Sequence, residues 1–152
     1  MIEVRHEPPD GPAAEALFAA YMDFARERVG PDFEPTEDIF ASPDVFRGPG
    51  AAWLVLYEDG EPVACGGLRP LAPDTGEIKR MFVAAPARGR GHARRLLAEL
   101  EAIARAAGLQ QIRLITTGVL VEARALYASA GYAVASSEHV DGRTDYWLAK
   151  RL

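Results

Sequence analysis

The residues best suited by type and spacing to do chemistry are Arg88-Gly89-Arg90-Gly91-His92-Ala93. They lie between a strand-like run, Ile78 to Val83, and an apolar-periodic helix made of Ala93, Leu96, Leu97, Leu100, Ile103, Ala104 and Ala107. The first N–H groups of a helix have no partner inside it, so Arg88 to Ala93 would aim donors and the positive end of the helix dipole beyond the strand's carboxyl end. Gly89 and Gly91 let the backbone approach an anion closely, and Arg88 and Arg90 add positive charge. A phosphate or pyrophosphate is the expected occupant. An isolated Gly-x-Gly is an ordinary turn; here the strand, the turn at Pro86 and the helix arrive in the order that anion binding requires. The Gly-Lys-Ser/Thr ending that holds a nucleoside triphosphate and its magnesium is absent, and so is a three-glycine dinucleotide fingerprint near a first strand.

In these residues the chain resembles the GNAT superfamily of acyl-CoA-dependent N-acetyltransferases. The family signature, Arg or Gln, two residues, Gly, one residue, then Gly or Ala, is matched in full by Arg88 to Ala93. A second family feature, a helix ending in Leu-Tyr followed by three residues, Gly and an aromatic, is matched by Leu126-Tyr127-Ala128-Ser129-Ala130-Gly131-Tyr132. The resemblance covers roughly residues 50 to 134 and implies that acetyl-CoA is the cosubstrate, with no metal. It implies that Arg88, Gly89, Arg90, Gly91, His92 and Ala93 hold the pyrophosphate, and that the pantetheine arm pairs along Met81, Phe82 and Val83. The amide N–H of Phe82 or a neighbour would face the thioester carbonyl.

The reaction implied is transfer of an acetyl group from acetyl-CoA to a primary amine of a small molecule, amino acid or peptide. It needs a neutral nucleophile, donors near the thioester oxygen and a proton for the departing thiolate. Tyr127 matches the family's proton donor to the sulfur, and a phenol with a pKa of about 10 is protonated at neutral pH. Glu77 matches the position where some members place a glutamate that acts as base directly or through water; ordered water and backbone carbonyls are the other route. His6, His92 and His139 are weaker candidates, with His139 expected in a late loop near the substrate. Where many members carry Asn or Gln ahead of the tyrosine helix, to hold the pantetheine arm, this chain has Leu120. That departure keeps a second class open, a catalytically inactive acyl-CoA-binding sensor or interaction protein. A pocket without coenzyme would leave the basic glycine run unexplained.

The elements that must position these groups are legible as alternation and periodicity. Ile2 and Val4 begin a strand, Ala13 to Val29 reads as a helix closed by Gly30-Pro31, and Asp32 to Gly50 is irregular, with a short helix near Thr36 to Ala41. Tyr21 and Phe24 read as core or groove-lining aromatics. Ala52 to Tyr57, Pro62 to Leu68 and Glu77 to Val83 form an antiparallel meander, with Asp59-Gly60 as a hairpin turn, Gly66-Gly67 as a bulge or close approach, and Arg69 to Gly76 as a second turn. Gln111 to Thr116 then lies parallel to Glu77–Val83 across the helix. Val121 to Ala130 is a helix, Tyr132 to Ala135 a short strand, and Arg143 to Ala149 the last strand after Asp141-Gly142. The fold class is α/β (α+β), a mixed, mainly antiparallel sheet with splayed central parallel strands flanked by helices.

Length and composition fit a single domain over 1–152: the chain has 152 residues, 49% apolar and 26% charged. No apolar run is long enough to cross a membrane and the N-terminus does not read as a signal peptide, so a cytoplasmic protein is expected. A net charge of -5 and the lack of a basic, aromatic-interleaved patch argue against nucleic acid. The single cysteine, Cys65, sits in an apolar run and reads as a buried, inert thiol. Residues that choose the acceptor are expected in Tyr21 to Phe46 and His139 to Tyr146, and a homodimer through a sheet edge or the last strand is an open alternative.

Overall fold

The computed structural model describes residues 1–34, 42–117, 121–140 and 142–152. The chain runs β1 (Ile2–His6), α1 (Pro12–Val29), β2 (Ala52–Glu58), β3 (Glu61–Ala72), β4 (Thr75–Val83), α2 (His92–Ala106), β5 (Gln111–Thr117), α3 (Val121–Ser129), β6 (Ala133–Val140) and β7 (Arg143–Arg151), with short 3-10 turns at Pro43–Phe46 and Ala85–Ala87. The strands make one sheet in the order β1-β2-β3-β4-β5-β7-β6, and all pairs are antiparallel except β4 with β5. The expected mixed sheet flanked by helices is thus the observed one.

The sheet is buried on both faces because its central strands alternate between two cores. Leu54 and Leu56 of β2, Ile78 of β4, and Ile112 and Leu114 of β5 pack with Leu96, Leu97, Leu100 and Ala104 of α2, while Trp53, Val55, Cys65 and Phe82 pack with Leu17, Tyr21, Met22 and Ala25 of α1. Each fully buried Leu contributes roughly 1.5–3 kcal/mol of apolar burial. Two glycines of β3 make this packing fit. A Cβ on Gly66 would stand 2.3 Å from Met81 Sδ, and one on Gly67 2.4 Å from the Phe46 ring. Opposite Gly66 the register slips, since Cys65 pairs Phe82 while Gly67 pairs Lys79, and Arg80 there takes a left-handed φ of 58°.

Several boundaries differ from the sequence expectation. Arg69 to Gly76 is not a turn: β3 continues to Ala72 and β4 starts at Thr75, because Arg69 pairs Glu77 and Pro70 pairs Gly76 across the ladder. Gly76 makes that close pairing feasible, as a Cβ on it would stand 2.9 Å from both Leu68 and Leu109. Strand β6 runs to Val140 rather than stopping at Ala135, paired with β7 throughout. His139 is therefore in an exposed edge strand, near Thr144, and not in a loop. The helix expected near Thr36 to Ala41, Leu120 and Asp141 lie outside the described residues.

Candidate active site

The end of β4, the 3-10 turn and the start of α2 build the expected anion loop from backbone alone. Gly89 and Gly91 take φ values of 80° and 81°, and Gly91 caps α2 in the left-handed conformation. The first bond into the helix is Arg95 N–H to Gly91 C=O at 3.0 Å; among the described residues the N–H groups from Gly89 to Arg94 have no backbone acceptor. Arg88, expected to open this row, instead donates its N–H to Ala85 C=O at 3.3 Å. The side chains depart further from expectation. Arg88 Nε donates to Val83 C=O at 2.9 Å and its guanidinium lies 4.2 Å from the centre of the Phe24 ring, while Arg90 pairs with Glu58. Glu58 also bonds His92 Nε2 at 2.6 Å, and these two contacts hold its carboxyl below the ordinary carboxylate range. Arg90 is thus charge-compensated, and the backbone donors and helix dipole are the features here that could hold an anion.

Upstream of that loop the sheet opens. Among the described residues, strands β4 and β5 pair only over Thr75 to Glu77 with Gln111 to Arg113, so the β5-facing edge of β4 from Ile78 to Val83 has no described strand beside it. Along this edge Phe82 points toward α1, where Tyr21 meets its ring edge-on at 5.7 Å, while Met81 and Val83 pack on the α2 side. Tyr127 of α3 is buried, at 6% exposure, in the core on the α2 side of the sheet.

Two neighbouring tyrosines there have opposite surroundings. Tyr132 packs edge-on against Tyr127 at 5.9 Å and donates its O–H to Glu101 at 2.9 Å, with Lys150 on the other oxygen of that carboxylate. The Tyr127 hydroxyl makes no hydrogen bond to any described residue. Burial pushes its phenol above the ordinary value, so it keeps its proton at neutral pH.

Glu77 is buried in the sheet. It is 1% exposed, its Oε1 accepts from Arg69 Nε at 2.7 Å, and Lys79 Nζ lies 3.7 Å from the same oxygen. Oε2 makes no hydrogen bond among the described residues. Cys65 is buried as expected, donates to Arg80 C=O at 3.5 Å, and burial pushes its thiol up to about 12. Tyr21, which sequence spacing gave as a core or groove-lining aromatic, meets Phe82 at the freed edge of β4. Arg143 and Asp145, in the stretch His139 to Tyr146 expected to choose the acceptor, form an ion pair on β7, which pairs with β5 over Thr117–Gln111.

A sheet whose parallel strands part after three residue pairs, with a glycine-capped helix start beyond the freed strand, has a geometry suited to an extended, phosphate-bearing ligand. The chain belongs to the acetyltransferase (GNAT) family, whose model matches residues 14–132. It is 36% identical over 105 residues to the uncharacterized N-acetyltransferase YjgM of Escherichia coli, covering 64% of this chain and 63% of that protein. It is 46% identical over 90 residues to an IAA acetyltransferase of Azospirillum brasilense, covering 56% of each. The matches thus span less than two thirds of these relatives' own lengths. The crystal structure of the putative acyl-CoA N-acyltransferase from Klebsiella pneumoniae superposes with a TM-score of 0.77 at 27% identity, over 100% of this chain and 98% of that one.

Proposed function

We propose that this acetyltransferase moves an acetyl group from acetyl-CoA to a primary amine of a small molecule, amino acid or peptide, by direct attack within a ternary complex. The observation that carries this reading is the unpaired edge of β4, Ile78 to Val83, leading directly into the donor row at Gly89 to Arg94. An extended pantetheine arm can satisfy the strand's open backbone groups as a neighbouring strand would, while the pyrophosphate takes the helix N-terminus. Met81, Phe82 and Val83 would line the arm, and Arg88, Gly89, Arg90, Gly91, His92 and Ala93 would form the pyrophosphate cradle, with Arg88 and Arg90 supporting it from the side.

Acetyl-CoA supplies the activated thioester, and the chain's residues orient it and move protons. The amide of Phe82 or a neighbour donates to the thioester oxygen as charge develops there. The amine nitrogen forms its bond to the carbonyl carbon, the carbon–sulfur bond breaks with its electron pair on sulfur, and Tyr127 O–H supplies the proton that leaves a neutral thiol. Glu77 Oε2 takes the amine's surplus proton through water. The unbonded Tyr127 hydroxyl supports the first assignment and the open Glu77 oxygen the second. Incubating the protein with acetyl-CoA and a panel of amines, amino acids and peptides, and following thiol release, tests the reading. Acetyl-CoA binding without thiol release for any acceptor would leave a coenzyme-binding protein and overturn transfer.

A further inference from the structure

The anion loop is gripped by Glu58, at the end of β2, a residue with no part in the transfer chemistry proposed above. Its backbone is fixed on both sides, paired with Ile2 of β1 and Glu61 of β3. The residue after it is fixed as well, since Asp59 N–H donates to Met1 C=O at 2.9 Å. From this rigid corner the carboxylate reaches 32 and 34 residues along the chain: Oε1 accepts from Arg90 Nη1, and Oε2 bonds His92 Nε2 at 2.6 Å. An ionised carboxylate can only accept, so His92 Nε2 carries the hydrogen of that bond. The His92 end of the contact is shielded from water, at 6% exposure.

The contact fixes the part of the loop that fixes itself least. Arg90 stands between Gly89 and Gly91, both with positive φ, where the chain has its greatest backbone freedom. Up to Arg88 the turn is tied by its own bonds, Ala87 N–H to Ala84 C=O and Arg88 N–H to Ala85 C=O. Beyond it, from Gly89 to His92, no backbone N–H has a backbone acceptor among the described residues. Side chains hold that stretch instead: Arg90 on Glu58 and on Pro86 C=O, the latter at 3.3 Å, and His92 on Glu58. We propose that Glu58 is a positioning residue for acetyl-CoA, holding Arg90 and His92 so that the N–H groups of this turn converge on the pyrophosphate before it arrives.

Two effects oppose each other here, and their sizes decide the sign. A carboxylate near a bound diphosphate repels it, and Glu58 also occupies Arg90, a cation that could otherwise meet a phosphate. The repulsion is blunted because the negative charge is spent on two donors, which hold the carboxyl below its ordinary range. The Arg90 side chain is 52% exposed, so a freed guanidinium would gain at most about fivefold in affinity from a solvent-screened ion pair. Loss of the brace costs more. Fixing the backbone of even one residue costs about five- to thirtyfold in an equilibrium constant, and here a stretch with two glycines would have to be ordered during binding. The brace therefore favours binding. This rests on the reading that the pyrophosphate of acetyl-CoA lies at this loop.

The test measures acetyl-CoA Kd by calorimetry for the parent, Glu58→Gln and Glu58→Ala, with melting temperatures of the free proteins alongside. Kd should rise about tenfold in Glu58→Ala. It should rise by less in Glu58→Gln, whose amide still offers an oxygen to Arg90. With an amine that the parent acetylates, the KM for acetyl-CoA should rise in step while kcat at saturation stays parental, because Glu58 touches the loop and no reacting atom. A Kd unchanged or lowered in the folded variants would overturn the proposal, making the carboxylate a structural brace only or a competitor of the anion. A fall in kcat at parental KM would overturn it too. Should Glu58→Ala fail to fold, the Kd of Glu58→Gln decides by the same criterion. A parent that does not bind acetyl-CoA would instead overturn the coenzyme reading on which the proposal rests.

Discussion

Tyr127 and Tyr132 are adjacent rings with different fates, and the difference is a hydrogen bond. Glu101, itself held by Lys150, fixes the Tyr132 hydroxyl into the α2 side of the core, whereas the Tyr127 hydroxyl makes no hydrogen bond to any described residue and is the proposed proton donor. Tyr127→Phe should therefore leave acetyl-CoA affinity intact and lower kcat about 100-fold, the scale of a positioned general acid. Because burial raises the phenol, the parent's pH–rate profile should show no descending limb below about pH 10; undiminished kcat in the variant would end the role. Glu77→Gln keeps the shape and a bond to Arg69 but cannot accept a proton. Its kcat should also fall about 100-fold with little change in acetyl-CoA KM, while a lowered melting temperature at parental kcat would make Glu77 a structural member only. For Cys65 the expectation is the reverse. A thiol pushed up to about 12 is protonated at neutral pH, so it is a poor nucleophile. Cys65→Ala should stay within a small factor of parental turnover, and initial rates should give intersecting lines; parallel lines with an acetyl group trapped on Cys65 would establish a covalent route.

At the scale of elements, function depends on where pairing stops. Strand β4 leaves β5 after Glu77, and the register slip at Arg80 and Gly66 turns its last residues toward the opening. The loop beyond it is held from outside by Glu58 of β2, which bonds both Arg90 and His92. No atom stands within 4 Å of where a Cβ on Gly91 would sit, so an added side chain there meets open space in the free protein. Asp also tolerates the left-handed conformation better than most residues. Gly91→Asp should consequently fold and yet lose acetyl-CoA binding, because its carboxylate occupies the anion's place at the helix start. Calorimetry showing parental affinity in this variant would move the pyrophosphate site elsewhere.

For the whole molecule, a ligand laid along β4 and capped by α2 substitutes for the missing strand pairing between β4 and β5. Binding to the folded state alone then adds stability by mass action: at a hundredfold excess over Kd, about 2.7 kcal/mol, or roughly 5–10 °C in melting temperature for a chain of this length. Thermal melts with and without acetyl-CoA measure this directly. A melting temperature that acetyl-CoA leaves unmoved at saturating concentration would contradict the site. Among the described residues no helix is long and apolar enough to cross a membrane.

The sequence by itself determined the element order, the mixed sheet, the parallel crossover across α2 and the glycine loop, because these are written in local periodicity and in residues with special backbone freedom. Leu96, Leu97 and Leu100 announce a helix face, and Gly89 and Gly91 a left-handed approach, with no need of distant neighbours. It also placed Tyr127 in a helix, α3. Tertiary structure decided which charges are spent. Arg90 and Arg88 read as anion-binding side chains, yet Glu58 and Val83, far and near in sequence, take them. Glu77 read as a base acting directly or through water, and the longer β3 brings Arg69 against it. Arg143 and Asp145 lie in the stretch His139 to Tyr146 expected to choose the acceptor, but which charges pair was not legible there; ion pairs are properties of three-dimensional neighbours, which periodicity does not encode.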